Sequence, residues 1–82
     1  MTRSRLLADA EGLILDAECR LDLVKQLDPG REYLAQAIVD DAVRAYVTMK
    51  TAPRITARVR AQVAAYYTRA SLLSQALNAP LQ

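Results

Sequence analysis

One apolar register runs through the last third of this 82-residue chain. Ile55, Val59, Val63, Tyr66, Ala70, Leu73 and Leu77 follow one another at intervals of 4, 4, 3, 4, 3 and 4 residues. A helix of about 3.6 residues per turn gathers such positions onto one face, whereas a strand sends them to both sides. The stretch from Val59 to Ser74 therefore reads as an unbroken amphipathic helix, the cleanest period in the chain.

Two further segments follow the same rule. Leu6, Leu7, Ala10, Leu13, Ile14, Ala17, Leu21 and Val24 form one stripe. Leu34, Ile38, Ala42, Ala45 and Met49 form another, widened by Val39, Val43 and Tyr46. Asp28-Pro29-Gly30 and Thr51-Ala52-Pro53 separate the segments, and Asn78-Ala79-Pro80 closes the last. The spacing predicts helices over about 3–27, 31–50 and 53–77. Connections this short force neighbouring helices to run antiparallel. The expected fold is all-α, an antiparallel up-down-up three-helix bundle making one domain of residues 1–82.

Local signals refine this. Thr2 or Ser4 can cap the first helix, Asp28 the second and Thr51 the third. Pro29 suits a first helical turn, where its missing N–H costs nothing. Gly12 lies mid-helix and is expected to let another helix approach closely. Asp16 and Arg20 are spaced as an i,i+4 ion pair. Asp40 and Asp41 are expected on the solvent side of helix two, near Arg44.

Charge is unevenly spread. Residues 1–28 hold four basic and six acidic side chains, residues 29–51 three of each, and residues 52–82 four arginines and no acid. An acidic first helix and a basic third helix attract each other, and the surplus positive charge suits an acidic partner.

The chain lacks the materials of most catalytic sites. It has no His and a single Cys, Cys19. That excludes Cys–His catalysis, ordinary zinc sites and an internal disulfide. There is no Gly-rich phosphate loop. The carboxylate pairs Asp40/Asp41 and Glu18/Asp22 read as solvated charge. No catalytic residue, metal site, cofactor or small-molecule substrate is expected. No run reaches the roughly 20 apolar residues of a membrane span, so direct membrane insertion is not expected. The lone Cys and the absence of a signal-peptide pattern place the chain in the cytoplasm.

Tyr66, Arg69, Ala70 and Leu73 form a Tyr-x-x-Arg-Ala-x-x-Leu pattern. It resembles the last helix of MIT (microtubule interacting and trafficking) domains, which are three-helix bundles of this size. Asp28, Gly30 and Tyr33 resemble the family's first junction, with Gly30 one residue early. Ala42, Ala45 and Tyr46 loosely match its second helix. The resemblance implies a protein-binding domain of endosomal trafficking and protein transport. Such domains bind short C-terminal motifs of ESCRT-III proteins and bring a parent protein to these membrane-remodelling polymers. One mode lays an amphipathic helix between helices two and three; another lays an extended segment between helices one and three.

The residues expected to line the first groove are Arg60, Ala64, Tyr67, Ser71 and Ser74 on helix three, facing Val39, Val43 and Tyr46 on helix two. Ala and Ser leave room for an incoming leucine. Ser71 stands where the family commonly has an acid. With Arg54, Arg58 and Arg60 nearby, this leads to an expected preference for acidic or atypical motifs. The alternative reading is a self-associating helical scaffold or regulator subunit. A nucleic-acid module is disfavoured, because +4 over about thirty residues is modest and the helices do not suit a helix-turn-helix.

Overall fold

The computed structural model describes residues 2–79. These form three α-helices with no strand among them: α1 (Arg3–Leu27), α2 (Glu32–Thr51) and α3 (Ala57–Asn78), with one 3-10 turn at Pro29–Arg31 between α1 and α2. The result is an elongated three-helix bundle measuring 44 × 19 × 17 Å.

Thr2 caps α1, its hydroxyl accepting from the Arg5 N–H at 3.2 Å. The next two boundaries differ from expectation. Asp28 makes no side-chain cap for the following helical turn. Its carbonyl instead accepts from the Arg31 N–H at 3.0 Å, closing the 3-10 turn that begins at Pro29. Its carboxylate pairs with Arg31 at 3.3 Å. Thr51 is the last residue of α2 rather than the cap of α3, and its hydroxyl donates back to the Val47 carbonyl at 2.8 Å. Pro53 explains the shift, because the residue before a proline is pushed out of the helical region. Ala52 is accordingly extended. α3 starts four residues later than expected, at Ala57, with Thr56 as its cap accepting from the Val59 N–H at 3.2 Å. Ile55 still joins the core, but from the connecting loop. The expected closing proline, Pro80, lies outside the described residues.

α2 is the central helix and packs against both others. Near one end, Ala10 of α1, Ala45 and Met49 of α2 and Val63 of α3 form a buried cluster. Leu6, Leu7, Tyr46, Ile55, Val59, Tyr66 and Tyr67 pack around it. Near the other end, Ala17 and Leu21 of α1 meet Ala35 and Val39 of α2 and Leu77 of α3. Early α1 thus meets late α2, and late α2 meets early α3.

Ala10 and Ala45 are both completely buried, which marks the close approach of α1 and α2. Gly12 does not serve that purpose: a Cβ built there would meet nothing within 4 Å. Arg20 is also redirected. It reaches across to α3, where its guanidinium donates to Ser74 Oγ at 2.6 Å and to Asn78 Oδ1, instead of pairing with Asp16. Among the described residues, no ion pair joins α1 to α3. The expected acid–base attraction between these helices is not made as direct contact.

Asp41 is the largest correction. It was expected in solvent beside Asp40, yet it is 1% exposed. A helix with neighbours on two sides buries a wider arc than one apolar stripe, and Asp41 lies on that extra arc. Arg69 neutralises it from α3, with Nε 3.0 Å from both carboxylate oxygens and a terminal nitrogen 2.5 Å from one. Arg44 adds a looser contact at 3.4 Å. Asp40 stays exposed and accepts from Gln36 at 3.1 Å.

Among the described residues, no helix is long and apolar enough to cross a membrane.

Candidate functional site

A concave surface lies between α1 and α3, with α2 as its floor. Near the start of α3 it forms a cavity of about 330 Å³, lined by Leu6, Met49, Ile55, Val59, Arg60, Val63, Ala64 and Tyr67. Further along, Leu13 faces Ala70, Ser71 and Tyr67 across a floor of Ile38 and Ala42. Tyr67 borders both parts and so links them into one groove.

Arginines of α1 bridge the groove at each end. Arg3 donates to the Pro53 carbonyl at 2.8 Å, and Arg20 holds Ser74 and Asn78. The seventeen helical steps from Arg3 to Arg20 make the groove about 25 Å long at about 1.5 Å per residue. Between the bridges its walls are mainly apolar. Tyr67, which borders both parts, contributes a phenol there beside Ser71. Partial burial pushes its pKa above 10.0, and the nearby negative charge of Asp9 pushes it further the same way. Tyr67 therefore stays a neutral donor and acceptor at physiological pH.

The eight residues expected to share a groove divide into two groups. Arg60, Ala64, Tyr67 and Ser71 do line one surface, and Ser74 stands at its end, but that surface faces α1. The three α2 residues lie elsewhere. Val39 is buried in the core. Val43 is exposed. Tyr46 leans on α1, its hydroxyl donating to Glu11 at 3.2 Å while the Lys50 ammonium sits 5.4 Å from its ring centroid. The α2 residues that do contribute are Ile38, Ala42 and Met49. Sequence reasoning counted them, with Leu6 and Leu13, as core. Their apolar character carried no sign that one edge of the core is left open.

The seam between α2 and α3 has a different character. Ala37, Asp40, Asp41, Arg44, Arg69 and Leu73 surround it. Arg69 also lies over the Tyr66 ring, 5.8 Å from its centroid. The Asp41 hydrogen bonds, then its charge, hold the Arg69 proton more tightly than usual. This charged crosslink fastens α2 to α3.

Among the described residues, no group of three or more His, Cys, Asp or Glu is placed to hold a metal ion. Comparison with protein-family models, with curated proteins and with solved structures returns no match.

Proposed function

We propose that this chain is a non-catalytic protein-interaction domain of the MIT type. In this reading it is an antiparallel up-down-up bundle that takes a short peptide into the groove between α1 and α3. The observation that carries the reading is the groove itself: an apolar channel about 25 Å long by helical rise, open between two arginine bridges. Ala64, Ala70 and Ser71 leave space on its α3 wall, and Leu6 and Leu13 offer apolar surface opposite. Large apolar residues entering such space release water from both surfaces, while Tyr67 can bond a peptide amide.

The pattern at Tyr66, Arg69, Ala70 and Leu73 points to C-terminal motifs of ESCRT-III-type proteins as the peptides. The groove favours the extended mode over the helical one, because the α2–α3 seam is crosslinked by Asp41 and Arg69. The domain would then act in the cytoplasm and bring a parent protein to endosomal membranes.

The test is an NMR titration of the labelled domain with C-terminal ESCRT-III peptides of both types. Shifts at Leu6, Leu13, Ala64, Tyr67 and Ser71 support the reading. Shifts confined to Ala37, Arg44 and Leu73 move the site to the other seam. Absence of any shift removes the MIT assignment.

Self-association is a second reading with its own observation. Leu15, Val43 and Val47 are exposed large apolar residues, and Leu15 shares a shallow cavity with Tyr46, Ile14 and Glu11. Sedimentation at two concentrations decides it, since a concentration-independent monomer ends the idea.

A further inference from the structure

The α1–α3 groove is not electrically uniform. The start of α1, the end of α2 and the start of α3 come together at one pole of the bundle, as the cluster of Leu6, Met49, Ile55 and Val59 establishes. That pole carries Arg3, Arg5, Lys50, Arg54, Arg58 and Arg60 against Asp9 and Glu11. Several of these charges already have partners. Arg5 pairs with Asp9 at 3.5 Å, Arg3 is tied to Pro53, and Lys50 sits over Tyr46. Arg54, Arg58 and Arg60 are exposed and make no ion pair among the described residues. The same pole holds the apolar cavity of about 330 Å³, and Arg60 is part of its wall.

From this juxtaposition we infer that the occupant of the groove is an acidic peptide with a large apolar anchor. The anchor enters the cavity between Leu6, Ile55, Val59 and Met49. Carboxylates near the anchor meet Arg60, which lines the cavity, and Arg54, which adjoins Ile55 in the connecting loop. The inference rests on the peptide-groove reading and adds to it a chemical class and a register. The apolar cavity supplies affinity without distinguishing neutral from acidic ligands. The arginines discriminate, because a basic ligand there would bring like charges together. The opposite end of the groove offers no such excess. There Arg20, Lys25 and Arg31 stand against Glu18, Asp22, Asp28 and Glu32, and Arg31 pairs with Asp28. The acidic part of the ligand therefore lies toward the Pro53 end.

The experiment is selection of a displayed library of random twelve-residue peptides on the intact domain, followed by NMR mapping of the enriched peptides. The expected winners carry a large aliphatic or aromatic residue with Asp or Glu close by, and shift the amides of Leu6, Val59 and Ala64. Replacing their acids with amides should weaken binding by about tenfold, and so should the double variant Arg54→Gln, Arg60→Gln, whereas Arg58→Gln, on the far side of α3, should change it little. Raising salt should weaken the wild type and leave the double variant nearly unchanged. Neutral or basic winners that still map to the groove would overturn the acidic preference and leave the groove reading standing. Failure to enrich any groove-binding peptide would sink both. Binding of the domain to phosphatidylserine vesicles through this pole, with no acidic peptide enriched, would assign the pole to a membrane surface and overturn the proposal.

Discussion

Replacing Met49 with alanine tests the packing and the groove together. Met49 is 2% exposed and belongs to the cluster of Ala10, Ala45 and Val63, where all three helices meet. The substitution removes three heavy atoms from a site at which Leu6, Ile55, Val59, Tyr66 and Tyr67 also pack. Truncating a buried Leu, Ile or Met to Ala costs about 2–5 kcal/mol, the larger values belonging to sites that cannot collapse. Here the new space joins a cavity already open to the groove, so water can enter and the lower part of the range, about 2–3 kcal/mol, applies. A domain of this length has about 4–12 kcal/mol to lose, at about 0.05–0.15 kcal/mol per residue. The loss lowers the urea midpoint by about 2–3 M if the slope is near 1 kcal/mol/M. It should also lower Tm by at least about 10 °C. Leu15→Ala is the control. Leu15 is 63% exposed, and its truncation should stay within about 0.5 kcal/mol. The assay is urea unfolding followed by circular dichroism, read at constant slope. Equal midpoints for the two variants would refute the three-helix junction at Met49.

Other expectations are simpler. Arg69→Met should destabilise more than Asp41→Leu, because the first strands a buried carboxylate and the second frees an arginine that can hydrate; the double variant should recover much of the loss, and strictly additive urea midpoints would show that the two do not interact. Thr56→Ala should cost about 1 kcal/mol through loss of the α3 cap. Thr51→Ala, at the position first expected to be the cap, should cost less, and the reverse order would restore the earlier boundary. The raised Tyr67 pKa favours the neutral phenol in the folded state, so its stability contribution is intact below pH 10 and is lost as pH rises from there through the folded value. Urea midpoints between pH 9 and 11, approximately the range of tyrosine titration, should fall more steeply for wild type than for Tyr67→Phe.

The helices were legible because their signals are local. Periodicity fixes which residues share a face, and that survives any arrangement of neighbours. The ends of α1 and the existence of all three helices follow from such information. Boundaries were less secure where two local signals competed. Thr51 and Thr56 are both good caps by residue type. Pro53 decides between them, since the restriction it places on Ala52 carries the chain through five non-helical residues, Ala52–Thr56, before α3 can start.

The site was half legible for a different reason. The row Arg60, Ala64, Tyr67, Ser71 and Ser74 was recognisable as one edge of α3, but a periodic pattern does not reveal which neighbour an edge will face. That depends on the order of helices across the bundle. With α2 in the middle, α3 has one edge toward the charged seam and the other toward α1. The same arrangement accounts for Asp41. On a flanking helix its position would be solvated, and the reading as solvated charge would have held. On a central helix that position is covered by α3, and a carboxylate survives there only with the guanidinium that Arg69 brings. The division of the expected groove residues and the burial of Asp41 therefore have one cause: the central place of α2 puts a charged crosslink on its α3 side and leaves the apolar concavity between α1 and α3.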